Sequence, residues 1–264
     1  MQTRRSLAGD LAALGLAPGD MVMAHAALRR VGPVLGGPDA VIGAIRDAIG
    51  PQGTLLVYTD WDGDFDQLRD EDGNVPEGVR PDIAPFDPLA SRAIRDNGTL
   101  AEFVRTTPGA RRSANPGASC AAIGARADWL TADHALQYGY GEDSPFARLV
   151  EADGFVLMLG APLDTMTLLH HAEHLADIPG KRVLRKLDPL LEDGAVIWRW
   201  IEEFDTGDPI VEGVAEDYFA DIVEQFLATG RGRRGRVGAA PCVLVRARQI
   251  VRFAVDWLET RVGR

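Results

Sequence analysis

The stretch Gly19–Asp62 reads GDMVMAHAALRRVGPVLGGPDAVIGAIRDAIGPQGTLLVYTDWD, and its pattern decides the fold class. The apolar run DMVMAHAAL predicts a buried strand, and GTLLVYTDW predicts a second one. Between them, Gly-Pro-Asp starts a predicted helix, GGPDAVIGAIRDAIG, which stops at Gly50-Pro51. A strand, a helix and a strand in this order begin an alternation that is typical of α/β proteins.

The alternation continues along the whole chain. Further strands are predicted at ASCAAIGA, at FVLMLGA, in a strand pair that turns near Asp193-Gly194, and at PCVLVRA. Further helices are predicted at TRRSLAGDLAALGL, GTLAEFVRTTPGA, ADWLTADHAL, SPFARLVEADG, EDYFADIVEQFLATG and the C-terminal segment. We therefore predict a layered α/β/α sandwich around a mixed central sheet, with a long acidic loop and a smaller C-terminal elaboration. Residues 1–264 are expected to form one domain.

The segment 62–90 is rich in Asp, Gly and Pro, and it predicts a long irregular loop of the kind that is usually functional or mobile. Between Asp60 and Asp87 the chain carries ten carboxylates against Arg69 and Arg80. Basic groups occur in separate blocks: Arg29-Arg30, Arg111-Arg112 and residues 230–236. Any one block is readily explained as solvated surface. Blocks of both signs also suit a protein that binds a polycation on one side and a phosphate-rich cofactor on the other.

Composition excludes several classes of protein. The 264 residues are 46% hydrophobic and 25% charged, as in ordinary globular proteins, and the formal net charge of −11 argues against a nucleic-acid partner. Cys120 and Cys242 give no disulfide framework and suit a reducing compartment. The N-terminus lacks the pattern of a signal peptide, and no apolar run has the length of a membrane span. We expect a cytoplasmic protein with no membrane partner.

Histidines cluster in the stretch TMTLLHHAEHLADIPGKR, from Thr165 to Arg182. It holds three of the chain's five histidines, His170, His171 and His174, with Glu173 among them. On a helix, His170 and His174 share a face, and Glu173 neighbours His170 at a spacing of three.

Spacing alone leaves three interpretations open. The order His170-His171-Ala172-Glu173-His174 fits H-x-x-E-H, a zinc-hydrolase signature with two histidine ligands and Glu173 as general base. A proton-transfer pair needs less: one imidazole that a carboxylate holds in the correct tautomer. The third interpretation is a polar helix face with incidental histidines.

The residues around the cluster resemble the aminoglycoside 3-N-acetyltransferase family of antibiotic acetyltransferases. The family's pattern T-x-L-H-x-A-E matches Thr167, Leu169, His170, Ala172 and Glu173, and His174 lies outside it. The other similar segments, which follow one another along nearly the whole chain, are Gly19–Asp62, PFDPLAS, PGARRSANPGASCAAIG, GYGEDSPFARLVEADGFVLMLGAPL and RGRVGAAPCVLVRARQIVRFAVDWLE.

This resemblance implies transfer of an acetyl group from acetyl-coenzyme A, without a metal, to the 3-amino group of the 2-deoxystreptamine ring of aminoglycosides, with drug resistance as the result. An aminoglycoside amine is largely protonated at pH 7, so a base must remove a proton as attack begins. His170 is the expected general base, Glu173 its carboxylate partner, and Thr167 a hydroxyl that orients the base or the thioester. A zinc-dependent hydrolase, an acetyltransferase for a different amine and a module that only sequesters polycations are the alternatives.

Acetyl-coenzyme A is expected at the strand-to-helix turn HAALRRVGPVLGGPDA, where backbone N–H groups and a helix N-terminus suit a pyrophosphate. The residues expected to bind it are His25, Ala26, Ala27, Leu28, Arg30, Val31, Arg112, Ser113 and Asn115. Two positions depart from the family pattern. The family commonly has H-[SA]-S-L where this chain has HAAL, and Asn115 replaces the histidine of R-S-x-H-P. Asn115 can form hydrogen bonds but cannot titrate near neutrality.

Carboxylates are expected to bind the cationic aminoglycoside, because each amino group gains from a nearby negative charge. Asp62 and Asp205 are the leading choices, and Tyr58 and Trp61 are possible platforms for the sugar rings. Asp64 and Glu212 are further candidates. The protein is expected to be a monomer or a homodimer.

Overall fold

The computed structural model describes residues 1–207, 209–211, 214–215 and 217–262. The helices are α1 (Arg4–Leu14), α2 (Leu28–Val31), α3 (Gly37–Ile49), α4 (Gly98–Thr106), α5 (Ala127–Thr131), α6 (Pro145–Glu151), α7 (Leu168–Leu175), α8 (Tyr218–Ala228) and α9 (Ala247–Val262). The strands are β1 (Met21–Ala26), β2 (Thr54–Tyr58), β3 (Arg111–Arg112), β4 (Cys120–Gly124), β5 (Phe155–Leu159), β6 (Val183–Glu192), β7 (Ala195–Phe204), β8 (Arg233–Val237) and β9 (Ala240–Arg246). Every helix in the described residues is too short or too polar to cross a bilayer.

The central sheet has seven strands in the order β3-β4-β2-β1-β5-β9-β8. β1 lies in the middle and runs parallel to both of its neighbours, β2 and β5. The remaining pairs are antiparallel. The prediction of a mixed central sheet in an α/β/α sandwich is confirmed.

Helices cover both faces of this sheet, which explains why β1 is apolar at consecutive positions. Met21 and Met23 pack in the core beneath α5–α9, whereas Val22 and Ala24 pack in the core beneath α1, α3 and α4. Successive side chains of a strand point to opposite faces, so a strand buried on both sides needs apolar residues without interruption. Fully burying one side chain the size of Val or Met contributes about 1.5–3 kcal/mol. With both faces covered, the strand ends remain as the place where a ligand can enter.

β6 and β7 form a separate two-stranded hairpin. Its turn is the predicted Asp193-Gly194, and both residues have positive φ, 49° and 80°. Two such residues form the tight turn that matches the twist of a hairpin, and Asp-Gly is a preferred pair there.

The long loop 62–90 is bound to the outer edge of this hairpin rather than extended into solvent. The carbonyl of Gly73 accepts a hydrogen bond from the Leu187 N–H at 3.0 Å, and Phe86 exchanges backbone hydrogen bonds with Pro189 and Leu191 at 2.8 and 2.9 Å. The buried Arg69 guanidinium forms an ion pair with Asp188. Apart from two short 3₁₀ helices, Asp66–Leu68 and Glu77–Asp82, the loop is irregular, as its sequence predicts.

Short elements account for the differences from the sequence prediction. α5 ends at Thr131, although ADWLTADHAL predicts a longer helix, because Ala132 is extended and Asp133 has a φ of +45°. β8 was not predicted: it contains most of the basic run 230–236 and forms a charged edge of the sheet. Charged edge strands are a common protection against pairing with another chain.

Gly73 is the position at which the loop depends most on the absence of a side chain. Its φ is +79°, and an added Cβ would lie 1.8 Å from the Arg185 carbonyl oxygen. We predict that Gly73→Ala detaches the loop from the hairpin and costs about 1–3 kcal/mol of unfolding free energy. Limited proteolysis should then cleave within residues 62–90 faster than in the wild type.

Gly78 is the matched control in the same loop, because an added Cβ there would meet no atom within 4 Å. Gly78→Ala should leave both the cleavage rate and the melting temperature unchanged. Equal proteolysis of the Gly73→Ala variant and the wild type would show that the loop is not held at this point.

Candidate active site

The carboxyl ends of β1, β2 and β5 open into a cavity of about 450 Å³, which we call the strand-end cavity. The chain leaves β1 through α3 on one face of the sheet and enters β5 through α6 on the other. Ligands of open α/β sheets bind at such a switch point, outside the carboxyl ends of the strands. Its lining includes Ala24–Ala27, Val57, Tyr58, Asp96–Gly98, Leu100, Ala101, Ala161, Pro162, Asp164, Thr165, Thr167 and His170.

α7 brings the histidine cluster to this cavity. Leu168, Leu169 and Ala172 are buried in the core and fix one side of the helix. His170 and Glu173 lie on another side, where the His170 Nδ1 and the Glu173 Oε2 are 2.6 Å apart. The Glu173 side chain is only 3% exposed, whereas that of His170 is 20% exposed.

This hydrogen bond fixes the tautomer of a neutral His170. A carboxylate oxygen only accepts, so Nδ1 carries the proton and Nε2 keeps its lone pair. The imidazole is held between the rings of Tyr140 and Phe219, with centroid distances of 5.0 and 4.8 Å. The ring therefore has a fixed orientation, and none of the described residues hydrogen-bonds its Nε2.

His170 also lines a second cavity of about 320 Å³, the helix cavity. Its other lining residues are Asp164, Glu173, Thr206, Gly207, Pro209, Tyr218 and Phe219. Asp164 and His170 are common to both cavities. The imidazole thus lies where two molecules entering from different sides would meet.

A third cavity of about 120 Å³, the hairpin cavity, lies beside Tyr140 and contains a carboxylate that sequence analysis missed. Burial raises the pKa of Glu203 to about 7, although the N–H groups of Phe204 and Tyr140 donate to its carboxylate and oppose this rise. When the His170 ring is protonated, its positive charge acts on the pKa of Glu203 in the same direction as these donors. A strongly shifted carboxyl group in a cleft beside a basic imidazole is a common feature of functional sites.

Segment 137–140 is the reason that Glu203 reaches this position. The Tyr138 N–H donates to the Glu202 carbonyl at 2.8 Å, and the Gln137 side chain bonds the backbone of Trp200 and Glu202 at 2.8 and 2.7 Å. These contacts dock the edge of β7 against the loop before α6. No local spacing in the sequence links this loop to β7.

A hydroxyl pair joins the strand-end and hairpin cavities. The hydroxyl oxygens of Tyr58 and Tyr140 are 2.6 Å apart, and Tyr58 also donates to the Gly117 carbonyl at 2.9 Å. Nearby, the Asn97 amide donates to the Asp60 carboxylate. Burial raises the pKa of Asp60 to about 6, and the Asn97 hydrogen bond opposes this effect.

The neighbouring histidine of the cluster has a structural environment. His171 is buried, and its Nδ1–H donates to the Tyr140 carbonyl at 2.7 Å. Burial lowers its pKa to about 4, so the ring stays neutral. His174 packs between the rings of Tyr138 and Phe204, with centroid distances of 6.1 and 5.5 Å. The described residues contain no group of three or more His, Cys, Asp or Glu side chains placed to hold a metal ion.

The residues predicted to bind the cofactor fall into two places. His25, Ala26 and Ala27 line the strand-end cavity. The Ala27 N–H, however, donates to the Leu159 carbonyl at 3.0 Å, so the sheet already uses that donor. Of the others nearby, Arg30 bonds the Gly160 carbonyl at 3.0 Å, Leu28 is half-buried, and Val31 is fully buried.

Arg112, Ser113 and Asn115 are engaged inside the protein. The Arg112 guanidinium donates to the Ser119 hydroxyl at 3.1 Å and to the carbonyls of Ser91 and Thr59. Ser113 bonds the ring of His134 at 2.8 Å. The assignment of these three residues to the cofactor stays a prediction.

Asn115 completes its hydrogen bonds inside the protein. Its Nδ2 donates to the carbonyls of Ala135 and Leu136 at 2.8 and 3.2 Å, and its Oδ1 accepts from the Ala118 N–H at 2.8 Å. The side chain is 2% exposed and lines the hairpin cavity. The amide therefore joins residues 135–136 to the turn at residues 115–118 without needing to titrate.

The residues predicted to bind the substrate are more dispersed. Tyr58 lines the strand-end cavity, and Trp61 packs against Phe65 and Phe86. Asp62 and Asp64 are exposed, and the Asp62 carboxylate accepts the Asp64 N–H at 2.7 Å.

Asp205 is largely buried, and its carboxylate accepts from the Arg182 Nε at 3.1 Å and from the Gly207 N–H at 3.0 Å. Glu212 lies outside the described residues. The role of each of these residues in binding a substrate stays a prediction.

Comparison with known proteins gives one consistent family. Residues 23–259 match the family model described as aminoglycoside 3-N-acetyltransferase. The chain is 48% identical to aminoglycoside N(3)-acetyltransferase III of Pseudomonas aeruginosa, over 99% of this chain and 95% of that protein. It is 46% identical to aminoglycoside N(3)-acetyltransferase VII of Streptomyces paromomycinus, over 99% of this chain and 93% of that protein.

Comparison with solved structures gives the same family. An AAC-IIIb in a binary complex with CoASH superposes with a TM-score of 0.97 at 64% identity, covering 98% of this chain and 97% of that one. An AAC-VIa bound to sisomicin superposes with a TM-score of 0.93 at 38% identity, covering 99% of each chain.

The raised pKa of Glu203 predicts a dependence of stability on pH. A carboxyl group with a folded pKa of about 7, against an ordinary value of 4.5, stabilises the fold while it is protonated, and this stability is lost as the pH rises from about 4.5 through 7. The Glu203→Gln variant has no group that titrates at this position, so it does not lose this stability. Between pH 4.5 and pH 8, its unfolding free energy should therefore rise relative to the wild type by about 3 kcal/mol.

Urea denaturation at the two pH values measures this difference. Glu202→Gln is the matched control on the same strand, because the Glu202 side chain is exposed and forms an ion pair with Arg185 at the surface. If Glu203→Gln and Glu202→Gln follow the same pH dependence, the Glu203 carboxyl is not protonated near neutrality.

Proposed function

The chain belongs to the aminoglycoside 3-N-acetyltransferase family, and we propose that it transfers the acetyl group of acetyl-coenzyme A to the 3-amino group of the 2-deoxystreptamine ring of an aminoglycoside antibiotic, with resistance as the result. The observation that carries the proposal is the 2.6 Å hydrogen bond between His170 and Glu173 at the junction of two cavities. This geometry gives a basic nitrogen of fixed direction where an amine and an acyl donor can meet.

The strand-end cavity suits the acyl-pantetheine arm of acetyl-coenzyme A. Its walls include the small or apolar side chains of Ala26, Ala27, Leu100, Ala101 and Pro162, which fit a long chain of amides and methylenes. It also has one buried nitrogen without a partner, the His25 Nε2. Acetyl-coenzyme A, when bound, supplies an acetyl group activated as a thioester. The CoASH complex of the similar AAC-IIIb supports this assignment.

His170 acts as the base. Its Nε2 takes a proton from the free amine as that nitrogen bonds to the acetyl carbon. When the carbon–sulfur bond of the thioester breaks, the imidazolium returns this proton to the departing thiolate sulfur. Glu173 holds Nδ1–H throughout and stabilises the imidazolium, so the ring does not turn during the transfer. Thr167 immediately precedes α7 and lines the same cavity, where its hydroxyl orients the reacting carbonyl. Burial of Glu173 strengthens this pairing because water does not compete for its carboxylate.

Carboxylates on the other side of His170 bind the polycation. Asp164 lines the helix cavity and Glu203 the adjoining hairpin cavity, and each gains from an ammonium group. The acidic loop, with Asp62 and Asp64 at its start, adds a longer-range attraction. The sisomicin complex of the similar AAC-VIa supports an aminoglycoside as the occupant.

The direct test mixes the purified protein with acetyl-coenzyme A and a panel of 2-deoxystreptamine aminoglycosides that includes sisomicin, with and without a chelator. Thiol release should accompany a product that is heavier by one acetyl group, and NMR should place that group on the 3-amino nitrogen. Chelator should have no effect. Absence of thiol release with every aminoglycoside, or an acetyl group on another nitrogen, would contradict the proposal.

Replacement of His170 tests the base. We predict that His170→Ala lowers kcat by about 10²–10⁴, which is the usual contribution of general-base catalysis. His174→Ala on the same helix is the control and should keep kcat within a few-fold, because that ring lies between Tyr138 and Phe204. Turnover of His170→Ala within a few-fold of the wild type, with unchanged substrate binding, would exclude this role.

Glu203 gives a test of the substrate side. Above pH 7 its carboxylate is ionised, and we predict that Glu203→Gln raises the aminoglycoside KM by about tenfold while the KM for acetyl-coenzyme A stays constant. At pH 5.5 the wild-type group is protonated, so the two enzymes should have similar KM values. A tenfold difference at both pH values would mean that the charge of Glu203 is not what binds the amine.

A further inference from the structure

His25 presents hydrogen-bonding capacity that the protein does not use. The residue lies near the end of β1 and lines the strand-end cavity. Side chains alternate along a strand, so His25 points to the same face of the sheet as Met21 and Met23. This face is covered by α7. Its Nε2 is buried and has no hydrogen-bond partner among the described residues. A buried polar atom without a partner costs about 1–3 kcal/mol, so its retention needs an explanation.

Other side-chain donors around the same cavity are already engaged. The Tyr58 hydroxyl bonds Gly117 and Tyr140. The Asn97 amide donates to Asp60, and the Thr165 hydroxyl donates to the Pro162 carbonyl at 2.7 Å.

The acidic residues of the lining, Asp96 and Asp164, can only accept when they are ionised. A ligand that carries carbonyl oxygens therefore finds few donors in this cavity. Thr167 is one, and His25 is another.

The charge state of His25 suits such a role. Burial lowers its pKa to about 4, so the ring is neutral throughout the ordinary assay range. A neutral imidazole carries one N–H and one lone pair. It can donate to a carbonyl without bringing an unpaired positive charge into the core.

We propose that His25 donates a hydrogen bond to a carbonyl oxygen of the acyl-pantetheine arm of acetyl-coenzyme A. This inference rests on the proposed function and adds a specific contact to it. The arm offers a thioester carbonyl and amide carbonyls, all of which need donors. His25 belongs to β1, the central strand of the parallel core, and is therefore held more rigidly than a loop residue would be.

Two variants of His25 separate this contact from a packing role. His25→Leu has a similar bulk and no polar atom, whereas His25→Gln keeps an N–H donor. Isothermal titration with acetyl-coenzyme A should show a dissociation constant raised about 3- to 10-fold in His25→Leu and closer to the wild type in His25→Gln. The melting temperature of His25→Leu should not fall, because the substitution removes an unpaired buried nitrogen. Thr106→Val, which loses an exposed hydroxyl that donates to the carbonyls of Glu102 and Phe103 and lies outside the cavity, should leave acetyl-coenzyme A binding unchanged.

A truncated acetyl donor identifies the carbonyl. With S-propyl thioacetate, which has no amide, the difference in rate between the wild type and His25→Leu should vanish if an amide is bound, and persist if the thioester is bound. A folded His25→Leu with wild-type affinity and wild-type turnover of both donors would overturn the inference. Failure of the wild type itself to bind acetyl-coenzyme A would instead contradict the proposed function.

Discussion

Helices cover both faces of the central sheet, and the rest of the structure depends on this constraint. β1 is buried on each side, so its first polar side chain, His25, appears only where the strand approaches its carboxyl end. The same edge receives α7, whose apolar side packs in the core and whose other side carries His170 and Glu173. A rigid sheet and a short, well-packed helix thus position the reactive imidazole more firmly than loops would.

The five histidines have different environments, although three of them are close in sequence. His134 and His171 are buried, and each donates a hydrogen bond to a backbone carbonyl, of Gly139 and Tyr140 respectively. Burial lowers the pKa of both to about 4. His170 is the one bonded to a carboxylate, Glu173, and its ring borders two cavities. The environment of each ring, rather than the density of histidines, distinguishes a base from a structural group.

Much of the fold could be predicted from the sequence because its signals are local. The apolar runs of β1, β2 and β5, and the Asp193-Gly194 turn, are contained in a few consecutive residues each. The contact between His170 and Glu173 is also local, since residues three apart on a helix are neighbours.

The remainder of the site depends on pairings between distant segments. Glu203 reaches Tyr140 only because β7 docks on segment 137–140. Arg182 and Asp205 lie equally far from the predicted hairpin turn, so the turn itself could have indicated that they face each other and form an ion pair. No comparable signal shows that Arg112 lies inside the protein, where burial lowers its pKa to about 10.

The central claim is that the neutral ring of His170 carries its proton on Nδ1, which Glu173 accepts, and keeps its lone pair on Nε2. Nitrogen NMR of protein labelled with ¹⁵N in its histidines measures this directly, with His170→Ala used to assign the signals. For the neutral ring of His170 the account predicts a protonated Nδ1 and an unprotonated Nε2. A spectrum in which Nε2 of the neutral ring carries the proton would contradict it.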